Sequence, residues 1–107
     1  MSAYVIYHYE ILNFEKMDEL TEISKPLNEK YSAKVIVGSP VKALEGNTLT
    51  HMVILEFKDF EAAKKYYDSD EHKEFSILRN KLTKGWSTII PGNNETQGLI
   101  ESGYFEC

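Results

Sequence analysis

The sequence predicts an α+β domain in which helices cover one face of a four-stranded antiparallel sheet. Short runs of β-branched and aromatic residues alternate with longer segments in which apolar residues recur every three or four positions. A length of 107 residues suits one domain. A content of 42% hydrophobic and 27% charged residues is typical of a globular protein.

The first strand is predicted from Tyr4 to Ile11, where Tyr, Val and Ile dominate. Asn13 is the predicted N-cap of a following amphipathic helix of about four turns. Pro26 lies inside that helix, where a proline costs about 3 kcal/mol. We therefore expect a bend near Ile23 or a division into two short helices.

The second strand is predicted from Lys34 to Gly38, a short β-branched run. Pro40 cannot donate a hydrogen bond and suits the edge of a sheet. The segment 41–45 could prolong this strand after a bulge, and Gly46-Asn47 forms the turn that follows.

The central strand is predicted from His51 to Phe57, and because both its faces are largely apolar we expect both to be covered. Asp59 is the predicted N-cap of the next helix. Asp68-Ser69-Asp70 interrupts the helical pattern, and Ser69 or Asp70 can cap a second segment. The large apolar residues of both segments indicate core packing.

Gly85 is expected to end this helical region, and Trp86 to Ile90 is the last predicted strand. The chain then divides into a domain of residues 1–92 and a polar tail of residues 93–107. We expect the first part of the tail to be loose and its apolar end to dock on this chain or a partner. The order β-α-β-β-α-β is the ferredoxin-like pattern.

Charge and composition argue against several classes of partner. Twelve Lys and Arg against seventeen Asp and Glu give a net charge of −5, which disfavours nucleic-acid binding. The chain has no apolar run long enough to span a membrane and no basic region followed by an apolar stretch at its start. Cys107 is the single cysteine, so no intramolecular disulfide can form, and we expect a cytoplasmic location.

The predicted fold implies a partner, because two helices cover only one face of the sheet. The other face would carry a large apolar patch, which monomeric proteins rarely expose. A second copy presenting the same face would bury it symmetrically. We therefore predict a homodimer with two sheets packed face to face as an α/β barrel. The face comprises Tyr4, Ile6, Met52, Ile54, Trp86 and Ile90.

The stretch from His51 to Arg79 resembles the signature of a family of small proteins, the domain-of-unknown-function family numbered thirteen-thirty. The resemblance implies a dimeric α/β barrel of ferredoxin-like subunits and brings no established activity. Proteins of that architecture include cofactor-free monooxygenases, lactone isomerases, haem-dependent enzymes and proteins without known chemistry. The matching residues are Ala3–Ile6, Leu44-Glu45-Gly46, Glu56-Phe57, Glu61-Ala62-Ala63, Tyr66-Tyr67, Asp68-Ser69 and Leu78-Arg79.

His8 and Glu56 are the candidate catalytic residues. They lie on the same predicted sheet face, on strands that are adjacent in this fold. A histidine and a carboxylate in an apolar cleft could act as a general-base pair. The alternative, which is the commoner role of such a pair, is a hydrogen-bonded contact at the dimer interface.

Four further residues are candidate ligand-binding positions. Glu45, in the turn, could reach the rim of a pocket or simply be solvated. Tyr67, Ser69 and Arg79 belong to the recognised motif. Arg79 could clamp an anionic ligand, or tie its helix to a nearby carboxylate.

No pair of His or Cys residues has metal-ligand spacing, and the chain has no Gly-rich phosphate loop. We therefore predict neither a metal nor a cofactor. The sequence favours a protein that binds a small organic molecule in a dimer cleft, either as a binding protein or as a cofactor-independent enzyme. The alternative is a non-catalytic structural or interaction homodimer.

Overall fold

The computed structural model describes residues 2–106 and confirms the predicted α+β fold class. Cys107, which has no possible disulfide partner within the chain, lies outside the described residues. A short 3₁₀ turn, Phe14–Lys16, precedes the first helix. The elements are β1 Ala3–Ile11, α1 Met17–Lys30, β2 Lys34–Pro40, β3 His51–Phe57, α2 Phe60–Asp68, α3 Asp70–Leu82, β4 Thr83–Ile90 and α4 Asn93–Glu101.

The four strands form one antiparallel sheet in the order β2-β3-β1-β4. Tyr7, at the middle of β1, lies opposite Val53 of β3 and Ser87 of β4. Strand β2 is an edge strand, as Pro40 predicts, and its register with β3 shifts between Val35 and Val37. The bulge thus lies inside the strand and not beyond it.

The inner face of the sheet packs against the helices, and the alternation of side chains along each strand decides which residues are buried. The outer face contains the residues predicted to need a partner, with Trp86 52% and Ile90 44% exposed. The buried apolar core comprises Ala3, Val5, Tyr7, Leu20, Leu27, Leu55, Phe57, Ala63, Tyr66, Phe75 and Leu82.

Two side-chain caps mark the starts of α2 and α3. Asp59 Oδ1 accepts a hydrogen bond from the Ala62 amide at 2.8 Å, as predicted. Ser69 Oγ accepts from the His72 amide at 3.1 Å, which settles the choice between Ser69 and Asp70 in favour of the serine. The caps fix where each helix begins and allow the chain to turn between them.

Helix α1 is continuous from Met17 to Lys30, so the expected division at Pro26 does not occur. Pro26 lies on the exposed side of the helix, while the neighbouring Leu27 is buried in the core. Core packing of this kind can hold a helix together across one missing backbone hydrogen bond. The predicted N-cap Asn13 precedes the 3₁₀ turn and makes no side-chain capping bond.

Strand β4 begins at Thr83, so the prediction that Gly85 ends the helix is wrong. The Thr83 amide and hydroxyl both donate to the Arg79 carbonyl, which closes α3 two residues earlier. Gly85 is needed for a different reason. A Cβ atom there would lie 2.0 Å from the His8 carbonyl oxygen, so β1 passes too close for any side chain.

The segment 41–50 forms a loop and does not prolong β2, although the Val41 amide donates to the Thr50 carbonyl at 2.9 Å. The tail is also unlike the prediction, because its first part forms α4. The Phe60 amide donates to Glu95 Oε1 at 2.9 Å, and the Tyr104 ring packs edge-on against Phe60 at 4.9 Å. The tail therefore docks at the start of α2, on the helical side of the sheet.

None of the helices within residues 2–106 is both long enough and apolar enough to cross a membrane.

Candidate functional site

A cavity of about 360 Å³ lies between the inner face of the sheet and helices α1 and α3. Its volume falls within the range of small-molecule sites. Most of its wall is apolar, with a few polar residues among those that line it. The residues that define it are Tyr7, Leu20, Asn28, Tyr66, Phe75 and Arg79.

Helix α1 packs beside α3, and small side chains line the space between them. Lys30 forms an ion pair with Glu71 at one end, and the Leu12 amide donates to the Leu82 carbonyl at 2.8 Å at the other. The two helices are therefore antiparallel. Ser24 of α1 and Gly38 of β2 leave room in the cavity wall where larger side chains would fill it.

Arg79 holds its guanidinium group against aromatic rings. Its Cζ atom lies 4.9 Å from the Tyr7 ring centroid and 5.8 Å from that of Phe75, which is cation–π geometry. Among residues 2–106, no carboxylate forms an ion pair with it, so the helix-tie alternative is not observed. Its Nη1 atom is buried and has no hydrogen-bond partner in the described part of the chain.

Asn28 of α1 provides a second buried polar atom. Its Oδ1 atom has no hydrogen-bond partner among the described residues, and the side chain lines the same cavity as Arg79. A buried donor or acceptor without a partner costs about 1–3 kcal/mol. The side chains that line the cavity therefore include one donor atom and one acceptor atom whose hydrogen bonds the described residues do not satisfy.

Three buried side chains form a hydrogen-bonded chain beside the cavity. The Tyr7 hydroxyl lies 2.9 Å from the Tyr66 hydroxyl and 2.7 Å from His72 Nε2. His72 Nδ1 lies 3.3 Å from the Ser76 hydroxyl, and the His72 ring packs on Tyr67 at 4.2 Å. Each hydroxyl has one proton to donate, so the protons of this chain can point toward His72 or toward the cavity.

Burial determines the protonation states in this chain. It raises the pKa of Tyr7 strongly and the pKa of Tyr66 to about 12, so both phenols stay protonated at neutral pH. Burial, assisted by the Arg79 guanidinium, lowers the pKa of His72 to about 4. The imidazole is therefore neutral, and the cavity presents hydrogen-bond donors and a single cation.

His8 is held between β3 and the loop that precedes it, and it is only 5% exposed. Its Nε2 accepts from the Leu49 amide at 3.0 Å and lies 2.8 Å from the Thr48 hydroxyl. Nδ1 then carries the proton and donates to the His51 carbonyl at 2.9 Å. His8 anchors the loop 41–50 on the outer face of the sheet.

The structure does not bring His8 and Glu56 together within one chain. His8 lies opposite Met52, whereas Glu56 lies four residues further along and opposite Tyr4. Four residues of strand span roughly 13 Å. Glu56 instead accepts a hydrogen bond from the Tyr4 hydroxyl at 3.3 Å. Their catalytic pairing stays a prediction, without geometric support from a single subunit.

The other candidates lie in different surroundings. Glu45 is exposed in the loop 41–50, next to Leu44, which is 91% exposed. Ser69 caps α3. The Tyr67 hydroxyl bonds the Ser87 hydroxyl, and its ring covers His72. Of the four predicted ligand positions, only Arg79 lines the cavity.

Sequence reasoning missed Tyr7, Tyr66, His72 and Asn28. Tyr66 and Tyr67 both stand in the recognised motif, and helical periodicity alone cannot say which hydroxyl reaches the sheet. His72 follows its cap Ser69 by three residues, a spacing that indicates a helix start and no chemistry. Asn28 has no sequence signal, since a polar residue on an amphipathic helix usually faces solvent.

A second depression of similar volume lies near Lys30, Lys58 and Lys65. Its lysines are exposed or half-exposed, and no buried unpartnered atom of the described residues faces it. Within residues 2–106, no cluster of three His, Cys, Asp or Glu residues is placed to hold a metal ion.

The sequence of residues 2–93 matches the profile of the family described as "Domain of unknown function (DUF1330)". The chain belongs to the DUF1330 family. This match confirms the resemblance drawn from the strand and helix motif. The matched residues include Arg79. None of the curated proteins matches this DUF1330 protein in sequence.

Solved structures share the fold of this DUF1330 protein. A dimeric ferredoxin-like protein of unknown function from Jannaschia sp. CCS1 is 16% identical, with a TM-score of 0.62 over 87% of this chain and 99% of that one. A dimeric ferredoxin-like protein of unknown function from Bacteroides fragilis is 13% identical, with a TM-score of 0.52 over 85% and 96%.

SnoaB, a cofactor-independent oxygenase from Streptomyces nogalater, is 5% identical, with a TM-score of 0.56 over 86% of this chain and 93% of that chain. At these identities the similarity shows a common fold and no common chemistry.

Proposed function

We propose that this protein binds a small organic molecule in the cavity between its sheet and helices. The observation that carries the proposal is the buried Nη1 atom of Arg79, which has no hydrogen-bond partner among the described residues, on a side chain that lines a mainly apolar cavity of about 360 Å³. An apolar pocket with a few convergent polar groups is the usual form of a small-molecule site. The proposed site lies inside each subunit, on the opposite side of the sheet from the dimer cleft predicted from the sequence.

We also propose that the protein is a homodimer that buries the outer face of its sheet. Trp86 and Ile90 are half-exposed there, and α4 packs at the helical side and leaves this face open. The ferredoxin-like proteins from Jannaschia and Bacteroides fragilis are described as dimeric. A symmetric pair would cover the patch in the same way.

A cofactor-independent reaction on the bound molecule is the extension suggested by SnoaB, which has the same fold. The cavity offers neutral donors and one cation, which can hold and polarise an oxygen atom. Because the pKa of His72 is about 4, its imidazole is a weak base at neutral pH. Binding is therefore the function that the geometry supports best.

The test is a thermal-stability screen of the protein against a library of small organic compounds. Compounds that bind should raise the melting temperature, and the shift should grow with the logarithm of the ligand concentration once that concentration exceeds Kd. Ser24→Phe places a ring in the cavity wall and should abolish the shifts, whereas Glu22→Phe, on the exposed side of α1, should leave them unchanged. Circular dichroism checks that both variants fold, and Ser24→Leu is the milder substitute.

If no compound stabilises the protein, or if Ser24→Phe responds as the parent does, the binding proposal is wrong. The alternative, a non-catalytic structural or interaction homodimer, would then be favoured.

A further inference from the structure

We infer that the ligand of this cavity is a compact organic anion, a carboxylate or enolate, that also carries a hydrogen-bond donor such as a hydroxyl or amino group. This inference rests on the proposed binding function and names the class of compound. The anionic oxygen would accept from Arg79 Nη1, and the donor would bond Asn28 Oδ1.

Arg79 sets the requirement for an anion. A guanidinium group has only donors and does not lose its proton, so whatever bonds Nη1 must be an acceptor. The described residues provide it with aromatic rings and no carboxylate. An oxyanion would satisfy the buried N–H and neutralise the charge in one contact, which is the strongest kind of hydrogen bond available there.

Tyr66 provides a second donor to the same oxygen or its neighbour. Tyr66 is among the residues that line the cavity, and its hydroxyl stays protonated because burial raises its pKa to about 12. An acceptor in the cavity would orient the protons of the hydrogen-bonded side chains in one direction. His72 Nε2–H would donate to Tyr7, Tyr7 to Tyr66, and Tyr66 to the ligand. All of the observed distances allow this arrangement.

Asn28 sets the requirement for a donor. Its Oδ1 atom can only accept, and it is buried without a partner in the described residues. Because α1 and α3 are antiparallel, with Leu82 beside the segment that precedes α1 and Glu71 beside Lys30, Arg79 lies toward the start of α1 and Asn28 toward its end.

The size and charge of the cavity exclude larger anions. A polyphosphate or nucleotide needs several donors or cations, whereas the lining of this cavity includes one cation and is mainly apolar. The fitting class is a mono- or bicyclic acid, or an enolisable carbonyl compound, with its polar groups at opposite ends of an apolar body.

The experiment uses matched sets of such acids, their methyl esters and their primary amides, with affinity measured by calorimetry on the full chain. We expect acids to bind at least tenfold more tightly than their esters. Arg79→Met preserves the packing length but removes the donors, so it should eliminate the preference while neutral compounds still bind. Lys81→Met removes a charge from the exposed side of the same helix and should preserve the preference.

Asn28→Leu tests the contact with the hydrogen-bond donor of the ligand. It should weaken the binding of hydroxylated acids and leave the affinity of the unsubstituted parent acids unchanged. If esters bind as tightly as acids, or if the preference survives in Arg79→Met, the inference is overturned while the binding function stands. If neither acids nor neutral compounds bind, the proposed function itself has failed.

Discussion

Tyr7 shares one hydroxyl between two buried partners, so its removal affects two buried hydrogen bonds at once. Tyr7→Phe removes the group that bonds both Tyr66 and His72 at 2.9 and 2.7 Å. Both partners would be left buried without that bond, so we expect the free energy of unfolding to fall by about 1–3 kcal/mol. Urea denaturation measures the change.

Tyr4→Phe is the matched control, because its hydroxyl makes a single long bond of 3.3 Å to Glu56 on the outer face. It should change stability by about 0.5 kcal/mol or less. If Tyr7→Phe and Tyr4→Phe lost equal stability, the buried hydrogen bonds of Tyr7 would not be important for stability.

His72 should make stability depend on pH. Its pKa falls from 6.5 to about 4 on folding, through burial first and the Arg79 guanidinium second. Between these values the unfolded chain binds more protons than the folded one. Stability therefore decreases as pH falls from 6.5 to 4, by roughly 3 kcal/mol across the window.

The check is urea denaturation at several pH values for the parent and His72→Gln. The stability advantage of the parent should shrink as pH falls through this window. A difference that is constant with pH would show that His72 does not titrate as described.

Gly85 decides whether β4 can pair with β1, so its replacement acts on a whole element. Gly85→Ala would place a Cβ atom 2.0 Å from the His8 carbonyl oxygen and 2.6 Å from Tyr9 Cα, both of them backbone atoms. Strand β4 must shift to relieve the clash, at a cost of about 3 kcal/mol. We expect a correspondingly lower midpoint in urea denaturation.

Gly98→Ala is the comparison. No atom lies within 4 Å of its added Cβ, and the residue is inside α4, where alanine favours the helix. Gly98→Ala should raise the free energy of unfolding by about 0.5–1 kcal/mol. If Gly98→Ala lowered the stability as much as Gly85→Ala, the loss at Gly85 could not be assigned to the close approach of β1.

Elements defined by local signals could be predicted from the sequence. The caps Asp59 and Ser69 and the alternation along β1 and β3 depend on neighbouring residues, and the structure reproduces them. Gly85 was misread because a glycine after a helix usually ends it, and the sequence does not reveal that another strand passes close by. Helix α4 was missed because it depends on a contact with Phe60, 35 residues away.

The candidate site was predictable only in part. The motif points to Arg79. Its two possible partners are an anionic ligand and a carboxylate side chain of the protein, and only the surrounding structure distinguishes them. His8 and Glu56 share a face as predicted, yet strand register separates them, and register is not readable from either strand alone. Asn28 and Arg79 line the same cavity only because α1 lies beside α3, and Tyr7 contacts Arg79 only because α3 packs on the sheet.

At the scale of the whole molecule, the sheet separates the proposed binding site from the proposed dimer interface. Its inner face and helices form the cavity, and its outer face is the proposed dimer interface. Ile54 lies near the middle of the outer face, opposite Ile6 of β1 and Val37 of β2. Ile54→Glu would place a charge from each subunit in the interface, where desolvation is costly.

We expect the parent protein to scatter light as a dimer at micromolar concentration and Ile54→Glu to scatter as a monomer. Ile77→Glu, at a 62% exposed position on the outward side of α3, should remain dimeric. Because the core and the cavity lie on the other face, the Ile54→Glu monomer should keep its helical circular dichroism and bind cavity ligands. A parent of monomeric mass, or a dimer that tolerates the Ile54 charge, would contradict this interface; loss of ligand binding on dissociation would show that the partner subunit helps to close the cavity.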